Sequence, residues 1–213
     1  MTTLQQLINE YKELRKPICD FELERYASEL SKYGMAVFVR GLRVRDLDGR
    51  KITSVEQMKR GMKVLLNNEH QYRTRKETKV RLAQVLEELR LQIYPSMTFE
   101  ELYAEVGKVL GSMTDLLHYD ITLRIGAAKG ILPKDYIYLY AGVLEGANAL
   151  KHRYPQLKVD IPRVKLSDIV EVVPALQGFS AYDVEHFLCV YHDMFTKQQN
   201  SYKLHLTSFY ANT

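Results

Sequence analysis

The sequence predicts an all-α fold, a compact multi-helix domain over residues 1–213. Three observations predict it. Apolar residues recur at i, i+3, i+4 and i+7 through most of the chain. Helix-start signals, a Ser or Thr followed three residues later by Gln, Glu or Asp, stand at Ser54, Thr98 and Ser180. Glycine and proline are sparse, 11 and 6, and fall mostly between the periodic segments. Room remains for one small β-hairpin near residues 35–53. Within the single domain two lobes are readable, a basic one over 1–96 and a second over 97–213.

The elements follow in order. Leu4, Leu7, Ile8, Tyr11 and Leu14 make one apolar face, so residues 3–15 read as a helix that Pro17 stops. Phe21 to Tyr33 reads as a second helix, ended by Gly34. Met35 to Lys51 fits a strand and an Asp48-Gly49 turn, or a short helix and a basic loop. Ser54 to Gln57 is a capping box for a helix to about Leu66, broken by Asn67-Asn68. The stripe Leu82, Val85, Leu86, Leu89 and Ile93 predicts a long helix over about 74–94, closed by Pro95. Thr98 to Glu101 opens the next, to about Leu110.

A further helix is expected over about 114–128, closed by Lys129-Gly130. Tyr136, Tyr138 and Tyr140 alternate like a strand, but no neighbouring segment offers a partner. A helix beginning after Pro133 is therefore expected. Gly142 and Gly146 flank a helical turn reaching about His152, and 158–164 is extended, with Pro155 before it and Pro162 within it. Ser167 is expected to cap a helix that Pro174 ends, and Ser180 to cap a last one reaching about Phe195.

Composition bounds the function. Apolar residues at 46% and charged residues at 26% exclude a disordered chain. Two cysteines, Cys19 and Cys189, exclude a disulfide scaffold and a four-cysteine metal or iron–sulfur site within one chain. They point to a reduced, cytoplasmic setting. No stretch approaches the ~20 apolar residues of a membrane span. Residues 1–16 are polar, without the apolar run of a secretory leader.

The net charge of +4 hides a split. From Arg40 to Arg81 there are thirteen basic and five acidic residues, a charge of +8, and the remainder carries −4. Such a segment is the electrostatic footprint of a phosphate-binding surface, and equally of a set of solvated helix faces. On the first reading Arg43, Arg45, Arg50, Lys51, Arg73, Arg75, Lys76 and Lys79 contact DNA. On the second the chain is a non-catalytic interaction module with a protein partner.

Catalytic motifs are missing. There is no G-x-S-x-G, Walker A, G-x-G-x-x-G or H-E-x-x-H pattern. His186, Cys189 and His192 are spaced i, i+3, i+6, which turns the third side chain ~240° from the first. His118 and Asp120 could add ligands from elsewhere, yet a core cysteine on an amphipathic helix explains the pattern better. No metal and no cofactor is expected. Most of the 15 tyrosines read as half-buried helix residues.

One stretch is sharper. Residues 112–137 read SMTDLLHYDITLRIGAAKGILPKDYI. This resembles the helix-hairpin-helix core of the base-excision DNA glycosylase superfamily, most nearly its alkylation-repair branch. In that family a hairpin precedes a helix ending near Leu-Arg, and a Leu-Pro-x-Asp segment opens the next helix. Leu123-Arg124 and Leu132-Pro133-Lys134-Asp135 carry the match. The hairpin reads Ser112-Met113-Thr114 where the family has Gly-h-Gly. The resemblance implies that Asp135 is the catalytic carboxylate, stabilising charge on the sugar or activating water. It implies that Ser112 and Thr114 hold a DNA phosphate with Arg124 nearby. Tyr119, Tyr136 and Tyr138 would line the pocket for a flipped base.

Overall fold

A computed structural model of the chain describes residues 3–35, 76–111, 114–160 and 162–196. The expected hairpin near 35–53 lies outside the described residues but for Met35, and the expected helix over 54–66 lies wholly outside them. So do Arg43, Arg45, Arg50, Lys51, Arg73, Arg75 and Ser112, and the side chains of Lys76 and Lys79.

Among the described residues the fold is mostly helical, as expected, with one two-stranded antiparallel ribbon. Its elements are α1 (Leu4–Glu10), a π-helical turn (Tyr11–Arg15), α2 (Lys16–Tyr33), α3 (Lys76–Gln92), α4 (Phe99–Leu110) and α5 (Asp115–Lys129). There follow β1 (Tyr136–Tyr138), α6 (Gly142–Arg153), β2 (Arg163–Lys165), α7 (Leu166–Val172), a 3-10 turn (Pro174–Leu176) and α8 (Ala181–Thr196). No helix among the described residues is long and apolar enough to cross a membrane.

The chain divides into two compact units: Met1–Lys16 with Pro133–His205, and Pro17–Leu132 with Leu206–Thr213. The division falls at 16/17 and 132/133, not at the 96/97 junction read from sequence.

Local chemistry sets most helix ends. Thr98 and Ser180 form reciprocal capping boxes, with Glu101 and Asp183 returning the bond to the cap backbone. The α5 C-terminus closes in a Schellman motif: the Gly130 N–H donates to Ala127 O at 3.2 Å and the Ile131 N–H to Gly126 O at 2.7 Å. Gly130 takes the left-handed conformation, φ 74°, that this motif demands.

Three expectations need correcting. Pro17 does not stop the first helix. The Lys16 N–H reaches back five residues to Tyr11 O, a π-type bond, and helix resumes through Pro17. The widened turn takes the proline ring without the clash a regular helix would impose on the carbonyl four residues back. No helix begins after Pro133. Residues 131–135 carry no helix, and Tyr136–Tyr138 pairs as a strand with Arg163–Lys165, register Tyr136↔Lys165, Ile137↔Val164 and Tyr138↔Arg163. The alternating tyrosines did mark a strand, and their partner comes from beyond α6. Ser167 does not cap α7, whose cap position is Lys165; its hydroxyl donates to Asp168 Oδ1 instead.

The first unit is built on one continuous apolar core. Leu7, Ile8 and Tyr11 join Ile137, Leu150, Val164, Phe187 and Tyr191, all at or near zero exposure. Within it α6 packs on α8. A β-carbon on Gly146 would sit 2.3 Å from the Leu188 carbonyl oxygen, so the backbones themselves touch. The second unit packs α4 on α5 and ties the end of α2 to α3. There the Glu87 carboxylate accepts from the Met35 N–H at 2.7 Å and pairs with Arg90, which holds it below the usual carboxylate range.

Candidate functional site

Pairing of β1 with β2 builds the candidate site, within the first unit. The ribbon is extended by the Leu166 N–H donating to Asp135 O and the Leu139 N–H to Pro162 O, both at 2.8 Å. Alternation buries Ile137 and Val164 on the core side. Beside the ribbon lies an open cleft of about 590 Å³, lined by Lys134, Asp135, Tyr136, Lys165, Ser167, Val170 and Phe179. Lys134, Asp135, Arg163, Lys165 and Ser167 are exposed, and Tyr136 is half-buried. The Arg163 guanidinium lies 4.1 Å from the Tyr136 ring centroid, and Lys12 Nζ lies 5.1 Å from that of Phe179.

The structure therefore brings Asp135 and Tyr136 together at one cleft, as adjacent residues on a strand entrance. The other proposed site residues have different surroundings. Tyr138 is 2% exposed and Tyr119 3% exposed. Tyr119 belongs to the second unit, where its ring meets Phe99 edge-on at 5.9 Å. Both are core side chains, not pocket linings: helix phase turns Tyr119 inward, and Tyr138 is covered although it shares the ribbon face of Tyr136. Thr114 caps α5, its Oγ1 accepting from the Leu117 N–H at 3.4 Å. Arg124 donates to Asp120 O at 2.8 Å, pairs with the Asp120 carboxylate at 3.4 Å and lies 5.1 Å over Tyr26. Burial pushes the Tyr26 phenol up to about 12, against the pull of Arg124. Thr114 and Arg124 are thus engaged in holding their own unit together.

A polar seam joins α1, the π turn and α8 in the first unit. Lys16 Nζ pairs with the buried Asp183 carboxylate at 2.6 Å, and the Tyr191 hydroxyl donates to Glu10 at 3.1 Å. His186 sits among Tyr11, Tyr182, Arg15 and Asp183. Burial, aided by Arg15, pulls its imidazole down to about 4, so it is neutral at pH 7. His192 Nδ1 lies 2.7 Å from Cys189 O, with Glu145 and Asp193 at 3.4 and 3.6 Å from Nε2. Among the described residues no three His, Cys, Asp or Glu side chains converge to hold a metal ion.

Sequence reading missed Lys12, Lys134, Arg163, Lys165, Ser167 and Phe179. The alternation in Arg163-Val164-Lys165, read as a strand beside the tyrosine alternation, was the signal that could have found the ribbon residues. No family model, no curated protein and no solved structure matches the chain.

Proposed function

We propose that the protein binds nucleic acid electrostatically through its basic segment 40–81, without base-releasing chemistry. The charge split carries this reading: +8 within 42 residues against −4 in the rest. Phosphate backbones reward such a concentration of Lys and Arg by release of counterions. Base release is left out on geometric grounds. The resemblance needs Asp135 at a helix start, and here it precedes a strand. Its carboxylate is exposed, and two of the three tyrosines meant to hold a base are buried.

Fluorescence anisotropy with a labelled duplex tests the reading. Binding is expected at low salt and should weaken steeply as salt rises. The change R43E/R45E/R73E/R75E should cost at least tenfold in affinity and flatten the salt slope by roughly 0.9 per lost contact. A duplex that stays unbound at low salt overturns the proposal.

A second reading, the interaction module, is favoured by one observation. Val80, Val85 and Leu91 of α3, and Tyr94 beyond it, are 41, 42, 69 and 57% exposed. Val80 and Leu91 share one side of α3, a face that suits a protein partner. A Leu91→Glu change that alters the light-scattering mass and leaves duplex binding intact would favour it.

A further inference from the structure

The cleft beside the β1–β2 ribbon combines two features. Its lining includes the half-buried Tyr136 and Val170 and the edge of the core at Phe179, 6% exposed. Its rim is cationic, with Lys134 and Lys165 lining it, Arg163 over Tyr136 and Lys12 over Phe179. All four cations are exposed, and none has a carboxylate within ion-pair distance among the described residues. Elsewhere in the same unit a cation such as Lys16 is matched by an acid. Unmatched positive charge beside a partly exposed aromatic ring favours a ligand with a flat apolar body and a separate anionic group. The volume, about 590 Å³, is within the range of small-molecule sites.

We propose that this cleft binds a nucleoside phosphate unit, its base at the half-buried Tyr136 ring and its phosphate on Lys134 and Lys165. Asp135, between Lys134 and Tyr136, gives the site its discrimination. A carboxylate accepts a hydrogen bond from a ribose hydroxyl or a ring amine, and repels a second or third phosphate. The site therefore takes one phosphate per base, which describes both a free nucleoside monophosphate and an unpaired nucleotide within a strand. Only the strand form rests on the nucleic-acid reading above.

Isothermal titration calorimetry on the full chain distinguishes the sources, with adenosine monophosphate, inorganic phosphate and a single-stranded decadeoxyadenylate as probes. Either nucleotide probe should bind at least tenfold tighter than phosphate. Binding of the monophosphate identifies a free nucleotide site, and binding of the strand alone identifies an unpaired-strand site. The double change K134E/K165E alters two exposed, unmatched side chains, so it leaves folding intact and should weaken the bound probe at least tenfold. Tyr136→Phe should bind as the parent does, and Tyr136→Leu severalfold more weakly. Absence of binding by both nucleotide probes, phosphate binding as tightly as nucleotide, or an undiminished K134E/K165E variant would each overturn the proposal. Duplex binding measured on K134E/K165E separates the two readings. If it persists while the nucleotide is lost, the cleft and segment 40–81 act independently. If the parent binds nucleotide and ignores duplex, the segment reading fails and the cleft stands.

Discussion

The α6–α8 pair and the α4–α5 pair each set a glycine directly against the partner helix, yet the two glycines face different obstacles. A β-carbon on Gly146 would meet the Leu188 carbonyl oxygen at 2.3 Å and its carbonyl carbon at 2.8 Å. A β-carbon on Gly107 would meet the His118 ring, at 2.8 Å from Cε1. That ring stacks on Tyr103 with centroids 3.6 Å apart, and its Nε2 lies 2.6 Å from Tyr103 O. A backbone obstacle can be relieved only by moving a helix. A side-chain obstacle can be relieved by rotation, at the cost of the contacts that held it. Backbone-limited seams should thus be brittle and side-chain-limited seams compliant.

The sharpest way to break that comparison is Gly146→Ala. Forcing α6 off α8 should cost about 3 kcal/mol or more, because the whole core of the first unit is fitted to that spacing. Urea denaturation followed by circular dichroism measures it, and a loss below 1 kcal/mol would show that the seam yields.

Acid should also act unequally on the two units. His186 binds its proton near pH 4 folded and near 6.5 unfolded, so the unfolded chain holds more protons in between. Its contribution is intact above pH 6.5 and is lost as pH falls towards 4, by roughly 2–3 kcal/mol. His118 is lowered too, by burial between α4 and α5, so its effect has the same sign. Hydrogen exchange at pH 7 and pH 5 should show the α8 amides losing more protection than the α5 amides. His186→Gln should remove the difference, and equal losses in the parent would refute the assignment.

The smallest effect is expected at Gly107→Ala. Displacing the His118 ring should cost about 1 kcal/mol, much of it offset by the ~1 kcal/mol that alanine gains over glycine inside a helix. In a double-mutant cycle with His118→Ala the penalty should vanish, leaving only the helix gain.

What was legible in the sequence was what neighbouring residues decide. Thr98, Ser180 and Gly130 act within four residues of themselves, and each stands where its motif placed it. The ribbon was hidden because Tyr136 and Lys165 meet only after α6 has folded back between them. The π turn was hidden because its signal is a shift in bond register, not a residue type, and Pro17 read alone argues for a stop. The candidate cleft was half-legible. Asp135 and Tyr136 stood out through a family resemblance, whereas Lys165 and Phe179 reach them only through tertiary structure.

The division of the chain at 16/17 and 132/133 also orders events in time. The segment 17–132 is nearly continuous, so most of its unit can close as soon as it leaves the ribosome. The other unit cannot. Its first helix is synthesised well before its partners: Lys16 waits 167 residues for Asp183, and Glu10 waits 181 for Tyr191. During that interval Leu7, Ile8 and Tyr11 have no core to enter. The nascent chain therefore carries an apolar helix without its core while residues 17–132 are made, the stage at which a chaperone or a second nascent chain would find it.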